Sequence, residues 1–351
     1  MAAAPRSICL LRLSALGDVT HVVPVVRTLQ RCWPETRLTW IIGYPEHRLL
    51  EGMDGVEFLV YDKRSGVQGI RQLWRSLRSR RFDVLLHMQL ALRTNILARG
   101  IRAERRIGYD RARSKEGHGL AVRERIPADG HHVLDVLGNF VRPLGLRQDR
   151  VEWRLPVPDE AYQWAEEQLP GKQPSLIISP CSSHALRNWS AERYAAVGDH
   201  AAASGWRVVL CGGRSALERC TANAIIENMK APAIDLVGKD TLKQFIALLA
   251  RADALLAPDS GPVHIANAVG TPVLGLYACT DPRRSGPYSD QRWTVDRYDE
   301  AARKFMQRPA AELRWGQKVE VPGAMELIQV DDVIGRFDAL RSLHAAGEPE
   351  A

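Results

Sequence analysis

The feature that most constrains this fold is the stretch from Asp253 to Tyr277, which reads DALLAPDSGPVHIANAVGTPVLGLY. Its first apolar run, Ala254 to Ala257, is short and ends at Pro258, as expected for a buried parallel strand. Val273 to Tyr277 is a second run of the same kind. The residues between the two runs have room for one short helix. The stretch therefore predicts a strand, a helix and a parallel strand joined by a right-handed crossover.

The helix in this unit is predicted from its two ends. Pro262 lies where a first helical turn would begin, and a glycine and a proline end the helix about two turns later. The helix N-terminus then lies at the carboxyl edge of the sheet, where ligands bind. Free N–H groups of residues 260–264 and the positive end of the helix dipole suit phosphate or diphosphate there. The alternative is that Asp259 or Ser260 merely caps the helix and that His264 packs against the sheet.

The rest of the chain alternates strand and helix patterns, which argues for doubly wound α/β sheets. A polar, proline-punctuated segment, residues 147–174, is the predicted hinge between two such series, and 351 residues suffice for two domains. The predicted strands are residues 7–13, 38–42, 56–61 and 84–88 in the first series and 176–179, 207–211, 233–237, 254–257 and 273–277 in the second. The predicted helices include residues 19–33, 66–80, 191–204, 241–250 and 330–343.

Positive charge is concentrated in the first part of the chain. Residues 1–150 contain 26 Lys and Arg against 15 Asp and Glu, a net charge of +11, which leaves −4 for the remainder of a chain whose total is +7. Nucleic acid, an anionic membrane surface or an anionic substrate could each explain such a field. No nucleic-acid motif or interleaved aromatic residues accompany the arginines, so nucleic acid is disfavoured as a partner.

Cellular location and metal content are constrained by what the sequence lacks. No apolar run approaches the ~20 residues of a membrane span, and the N-terminus has no signal-peptide pattern, so we expect a cytoplasmic protein. The six cysteines are scattered without a C-x-x-C pair, which makes a metal site improbable. Neither G-x-G-x-x-G after a strand nor a P-loop motif occurs, which counts against a nicotinamide dehydrogenase or a P-loop nucleotidase.

Two motifs resemble those of glycosyltransferase family 9, the family that contains the bacterial lipopolysaccharide heptosyltransferases. One is DSGPVHIA at residues 259–266, followed by Gly270-Thr271-Pro272 and Thr280-Asp281-Pro282, which resembles the family's donor-site motif. The other is SALGDV at residues 14–19, which resembles its N-terminal motif. The resemblance implies the GT-B architecture, two doubly wound Rossmann-like domains facing across a cleft.

The domains that the resemblance implies have different tasks. Residues 1–155 would form an acceptor-binding Rossmann-like domain, and residues 172–328 a second Rossmann-like domain that binds the nucleotide-sugar donor. Residues 329–346 would form a C-terminal helix that crosses back to the first domain.

Donor-binding residues follow from the same resemblance. In the loop after the first strand of the second domain, two hydroxyl residues and a basic residue hold the donor phosphates, with a structural serine turn as the alternative. An acidic residue near the end of the next strand bonds the ribose, in an uncertain register. The implied donor-binding residues are Ser182, Ser183, Arg187, Glu218, Asp259, Ser260, Gly261 and His264. The run from Asp281 to Tyr288 also resembles the family, without an assigned role.

Asp18 is the implied general base. It follows the first strand, where a carboxylate can reach an acceptor hydroxyl, and the family's motif has its catalytic aspartate at this place. The alternative is that Asp18 is only the N-cap of a helix beginning at Val19. The chain contains no D-x-D pair, so Arg187 and the amides of residues 260–264 are expected to stabilise the leaving diphosphate without a metal or other cofactor.

The function implied is an inverting transfer of heptose from ADP-heptose to the Kdo of a Kdo–lipid A acceptor at the inner face of the cytoplasmic membrane. Kdo carboxylates and lipid A phosphates would explain the basic first domain, and Arg105, Arg106 and Arg111 are the candidate acceptor-binding residues. Three alternatives stay open: a sibling family 9 transferase acting further out in the core, a GT-B sugar-nucleotide epimerase, and a non-catalytic nucleotide-sugar binding protein.

Overall fold

A computed structural model describes residues 4–346 of the chain, with side chains described up to residue 344. The chain divides at Pro156 into two compact units, within the hinge predicted for residues 147–174. Each unit contains one parallel six-stranded sheet among the described residues. The predicted α/β class is confirmed.

The first unit has a sheet with the strand order β3-β2-β1-β4-β5-β6. Its strands are β1 Ser7–Leu11, β2 Arg37–Gly43, β3 Val56–Tyr61, β4 Phe82–His87, β5 Ala103–Gly108 and β6 Glu124–Arg125. Its helices are α1 Leu16–Cys32, α2 Tyr44–Leu50, α3 Gly66–Ser76, α4 Leu92–Arg99 and α5 Val133–Gly138. The order is that of a doubly wound nucleotide-binding fold, and it reverses between β1 and β4.

The second unit has a sheet with the strand order β12-β11-β10-β7-β8-β9, which reverses between β7 and β10. Its strands are β7 Ser175–Ile178, β8 Arg207–Leu210, β9 Ile234–Asp235, β10 Ala254–Pro258, β11 Val273–Tyr277 and β12 Val295–Asp296. Its helices are α6 Asp159–Gln168, α7 Ala191–Ala203, α8 Ala216–Asn228, α9 Leu242–Arg251, α10 Gly261–Val269, α11 Pro282–Ser285, α12 Tyr298–Met306 and α13 Val330–Ala346.

The central strands β1, β7 and β10 are buried along their whole length because both faces of each sheet are covered. Leu176 and Ile178 of β7 belong to a core that includes Trp189 and Trp206, while Ile177 between them points to the other face and is also fully buried. In a strand with one solvated face, apolar and polar residues would alternate along the sequence instead. This double burial is why the strands were recognisable as short apolar runs.

The C-terminal helix α13 packs on the second unit. Val333, Phe337 and Leu340 lie in the core of that unit, and the Phe337 ring meets Trp206 edge-on at 5.0 Å between ring centroids. In addition, His200 Nε2 of α7 lies 2.9 Å from Asp338 Oδ1 of α13. The second unit thus accounts for the buried apolar face of α13, and the predicted crossing to the first domain stays a prediction.

Within residues 4–346, none of the helices combines the length and the apolar composition that a membrane span requires.

Candidate active site

The candidate donor site lies where the strand order of the second sheet reverses. β7 and β10 are hydrogen-bonded neighbours, but the chain leaves them toward opposite ends of the sheet. Loops that diverge from such a point leave a crevice at the carboxyl edge, which is the usual ligand site of open α/β sheets. The predicted phosphate-binding loop, residues 179–187, follows β7, and the turn Asp259-Ser260 follows β10. Topology therefore brings the two predicted donor segments together.

Arg187 joins these two loops directly. Its Nη1 donates to Asp259 Oδ2 at 3.2 Å, and its Nε donates to Glu320 Oε1 at 2.7 Å. The Arg187 and Asp259 side chains are largely buried, at 14% and 10% exposed. The guanidinium group is therefore held beside the N-terminus of α10 by two carboxylates, and Asp259 does not act as a helix cap.

The N-terminus of α10 has the features of an anion site. Ser260 is the N-cap residue with extended backbone, yet its side chain makes no capping hydrogen bond. Among the described residues, the buried hydroxyl groups of Ser260 and of Thr280, which follows the neighbouring strand β11, have no hydrogen-bond partner. Gly261 begins the helix, and His264 is buried one turn further along. Unpaired hydroxyls beside the N-terminus of a helix suit phosphate oxygens.

The two serines of the loop after β7 differ in their surroundings. Ser182 is buried, its N–H donates to Asn188 Oδ1 at 2.7 Å, and its Oγ accepts from the N–H of His184 at 3.5 Å. Ser183 is exposed. Ser182 therefore helps to shape the turn, and Ser183 presents its hydroxyl to solvent. Phosphate binding by these two serines stays a prediction.

Glu218 is a capping residue of α8. Its carboxylate accepts hydrogen bonds from the N–H of Gly213 at 2.6 Å and from the hydroxyl of Ser215 at 2.5 Å. The Ser215 hydroxyl in turn accepts from the N–H of Glu218, which completes a capping box. The predicted contact of Glu218 with a ribose stays a prediction, and the geometry already gives this carboxylate a structural task.

The run after β11, whose role the sequence left open, has a structural explanation. Asp281 is the N-cap of α11, where its side chain accepts from the N–H of Arg283 at 3.0 Å. Arg284 lies over the ring of Trp315 at 4.4 Å from the ring centroid, a cation–π contact. The run thus fixes the segment that leads away from the donor edge.

Asp18 of the first unit forms an ion pair with Arg12. Asp18 lies within α1 and not at the N-cap, which is Ala15, so the predicted helix start at Val19 was wrong by three residues. Its Oδ2 accepts from the N–H of Ala15 at 3.2 Å and contacts Arg12 Nη2. About a third of the Asp18 side chain is exposed. The carboxylate is thus anchored at one side and accessible from solvent at another.

Arg12 ties Asp18 to the reversal point of the first sheet. Its Nη1 donates to the carbonyl of Met88, after β4, at 2.5 Å and lies 3.3 Å from the Tyr109 hydroxyl, after β5. Burial opposes its charge, yet the pKa of Arg12 is raised because the Asp18 carboxylate and the Tyr109 hydroxyl favour the cation. A buried arginine therefore orients Asp18 and keeps a positive charge beside it.

The predicted acceptor arginines lie in different surroundings. Arg105 pairs with Glu124 through two hydrogen bonds of 2.9 and 2.6 Å. Arg106 donates to three backbone carbonyls, and burial lowers its pKa. Arg111 is exposed. The guanidinium groups of Arg105 and Arg106 thus hold the fold around β5, although the Arg105 side chain is still 39% exposed. Acceptor binding by these three arginines stays a prediction.

Two buried histidines organise the loops after β4 and β5. Asn95 Oδ1 lies 2.8 Å from His87 Nε2 and 3.1 Å from His118 Nδ1, so each ring donates a proton to the same amide oxygen. His118 Nε2 accepts from the N–H of Tyr109 at 3.1 Å. Burial, with nearby positive charges, lowers the pKa of His87 to about 3 and that of His118 to about 4. Both rings are therefore neutral at physiological pH.

Across residues 4–346, no group of three or more His, Cys, Asp or Glu side chains is arranged to hold a metal ion. Metal-independent chemistry stays a prediction.

The match of a family model decides the classification. Residues 70–315 match the model of glycosyltransferase family 9 (heptosyltransferase). The chain belongs to glycosyltransferase family 9. It is therefore a glycosyltransferase, and the resemblance inferred from the two short motifs is confirmed. This membership disfavours the two alternatives from other classes, the epimerase and the non-catalytic binding protein.

Relatives of this family 9 member match it over nearly its whole length. The lipopolysaccharide core heptosyltransferase OpsX of Haemophilus influenzae is 39% identical over 338 residues, which is 96% of this chain and 97% of the relative. Among solved structures, a family 9 glycosyltransferase from Veillonella parvula has a TM-score of 0.77 at 22% identity, covering 95% of this chain and 97% of that one. The ADP-heptose heptosyltransferase II structure of Escherichia coli has a TM-score of 0.73 at 18% identity, covering 97% and 99%. These two structures confirm the GT-B fold class.

Sequence reasoning missed two residues that contact the candidate site residues: Arg12, which pairs with Asp18, and Glu320, which pairs with Arg187. Arg12 had a signal: it is a lone arginine directly after an apolar strand, six residues before the candidate base. Glu320 had none, because its segment, far along the chain, carries no motif and approaches Arg187 only through the fold.

We predict that the His87–His118 pair makes the first unit less stable in mild acid. The folded-state pKa values lie below the ~6.5 of an unfolded histidine, so between pH 6.5 and pH 5 only the unfolded chain takes up these protons, and each ring costs about 2 kcal/mol of unfolding free energy. His87→Gln removes one titrating group and should roughly halve the loss. Urea unfolding at pH 7.5 and pH 5.0 measures it.

The exposed His131 is the matched control for this prediction. His131→Gln should lose as much stability as the parent between the two pH values. A parental loss in His87→Gln as well would show that the buried pair does not titrate on unfolding.

Proposed function

We propose that this family 9 glycosyltransferase transfers heptose from ADP-heptose to the Kdo of a Kdo–lipid A acceptor, with inversion at the anomeric carbon. The observation that carries the proposal is the 39% identity over 96% of the chain to a lipopolysaccharide core heptosyltransferase. The name of that relative specifies the core and not the position within it. A family 9 transferase acting further out in the core is therefore the second candidate.

The second unit supplies groups suited to the donor diphosphate. Arg187 brings a fixed positive charge, and the Ser260 and Thr280 hydroxyls lack partners among the described residues. The first-turn amides of α10 add donors and the positive end of the helix dipole. As the bond between heptose and diphosphate breaks, negative charge develops on the leaving ADP, and these groups stabilise that charge.

The first unit supplies the proposed base. A sugar hydroxyl is a poor nucleophile at neutral pH, and its proton must leave as the new glycosidic bond forms. Asp18 can accept that proton, because Arg12 orients one side of the carboxylate while the other stays accessible to solvent. A carboxylate held in this way suits a base that accepts the proton late in the transition state.

The positive charge of the first unit suits an anionic acceptor at a membrane surface. Exposed Arg111 and Lys115 belong to that charge, and so does the basic helix α3, which also exposes the apolar Val67. Carboxylates of Kdo and phosphates of lipid A would be attracted by such a surface. We therefore propose peripheral contact with the inner face of the cytoplasmic membrane, where this acceptor would be presented.

We predict that Asp18→Asn lowers kcat at least about a hundredfold, because the amide cannot accept the acceptor's proton. The amide oxygen can still accept from Ala15 N–H, but Arg12 loses its ionic partner, so the melting temperature should fall. ADP binding, a property of the second unit, should stay at the parental value. Initial rates, a melting curve and ADP titration are the three measurements.

Asp149 offers a matched control for this variant, since its ion pair with Arg31 is largely exposed. Asp149→Asn should keep parental kcat. If a folded, ADP-binding Asp18→Asn protein also keeps parental kcat, Asp18 is a capping residue and the base lies elsewhere.

We predict that deletion of the gene truncates the lipopolysaccharide core directly after Kdo. Mass spectrometry of lipopolysaccharide from the deletion strain and from a complemented strain measures this. A core that ends one or more sugars further out would favour the second candidate, and a full-length core would exclude both physiological assignments.

A further inference from the structure

Glu320 is an unassigned residue that contacts Arg187, the proposed ligand of the donor diphosphate. It lies in the segment after α12, and the neighbouring Val319 N–H donates to the carbonyl of Cys279, after β11, at 2.8 Å. This bond places Glu320 at the donor edge of the second sheet. Both Nε and Nη2 of Arg187 lie 2.7 Å from Glu320 Oε1, and the Glu320 side chain is 17% exposed.

The charge on Glu320 is set by three basic side chains. Besides Arg187, Lys318 Nζ lies 3.5 Å from Glu320 Oε1 and His184 Nε2 lies 3.5 Å from Oε2. Burial acts to raise the pKa of Glu320, but the hydrogen bond from Arg187 and the positive charges around it lower that pKa overall. Glu320 is therefore an anion at neutral pH.

The hydrogen-bonding capacity of Arg187 shows what Glu320 does. A guanidinium group has five N–H donors in one plane. Glu320 Oε1 accepts from Nε and lies 2.7 Å from Nη2, while Nη1 donates to Asp259 Oδ2 at 3.2 Å and to the Asp259 carbonyl at 3.5 Å. One N–H, on Nη2, is left for a further acceptor. With both ends of its plane fixed by Glu320 and Asp259, Arg187 can present this donor in a constant direction.

We infer that Glu320 is a positioning residue that orients Arg187 and, by offsetting its charge, lowers the affinity of the site for nucleoside diphosphate. This inference rests on the proposed function, in which Arg187 binds the donor diphosphate. Orientation favours the productive geometry of the bound donor. The offset charge favours release of the ADP product, which carries more negative charge than the diphosphate of the donor.

Glu320→Gln separates the two effects. Its amide oxygen can still accept from Arg187, but the negative charge is gone, so ADP should bind roughly tenfold more tightly. Glu320→Ala removes the charge and the acceptor together, so Arg187 must be ordered on binding, and ADP should bind more weakly than to the Gln variant. Glu312→Gln, an exposed glutamate of the same segment, is the matched control and should leave the affinity unchanged.

Isothermal titration of the full-length variants with ADP, beside a melting curve for each, is the experiment. Wild-type affinity in a folded Glu320→Gln protein would overturn the inference, because a purely structural glutamate would change only the melting temperature. Should Glu320→Gln fail to fold, Lys318→Met decides: loss of this half-exposed positive charge should weaken ADP binding several-fold, and unchanged affinity would overturn the inference. A wild-type protein that binds no ADP would instead refute the proposed function.

Discussion

The reversal of strand order in each parallel sheet is the constraint on which the candidate donor site of the second unit and the surroundings of Asp18 in the first unit depend. Where two neighbouring strands lead the chain in opposite directions, their loops diverge and leave backbone donors without strand partners. In this protein a largely buried arginine bridges each reversal. Arg12 follows β1 and bonds the carbonyl of Met88 after β4, while Arg187 follows β7 and bonds Asp259 after β10. Each arginine also fixes a carboxylate at the carboxyl edge.

The two arginines differ in the number of carboxylates that they pair with and in the net charge of the unit around them. Arg12 pairs with one carboxylate, Asp18, inside a unit with strong positive charge. Arg187 pairs with two, Asp259 and Glu320, inside a unit whose net charge is slightly negative. In its proposed role, Arg187, already neutralised, would hold phosphate by geometry and by the amides of a helix N-terminus as much as by net charge. That arrangement would suit a donor site from which a charged product must leave after every turnover.

The sequence predicted what local physics determines. The strand β11 is buried on both faces and stands in the sequence as a short apolar run, so its bounds, Val273–Tyr277, were predicted to the residue. The bounds of β3, Val56–Tyr61, were also predicted to the residue, although this edge strand is only partly buried. Gly270 ends α10 with a positive φ of 88°, a conformation that glycine adopts without strain, which is why its position was informative. Helix starts were predicted less accurately. The helix α1 begins at Leu16, and Asp18, in its first turn, accepts a hydrogen bond from the N–H of the N-cap residue Ala15. The sequence pattern had instead suggested Asp18 itself as the N-cap.

Long-range contacts between polar side chains could not be predicted in this way. Arginines 105 and 106 formed part of a conspicuous charge cluster, yet their partners, Glu124 and backbone carbonyls, depend on the path of the chain around β5. Glu320 accepts a hydrogen bond from Arg187, which lies more than a hundred residues earlier in the chain, and no periodic pattern in the sequence predicts this contact. The sequence shows where charged residues lie along the chain. Whether a charged side chain pairs within the protein or remains available to a ligand depends on the fold.

The most direct test of the central claim is a reaction of the purified protein with ADP-heptose, with and without Kdo–lipid A, analysed by mass spectrometry of both the nucleotide and the lipid. The account predicts that ADP is released and that the lipid gains one heptose, only when donor and acceptor are both present. Conversion of the donor alone to an isomer or to free heptose, with the Kdo–lipid A unchanged in the complete mixture, would contradict it.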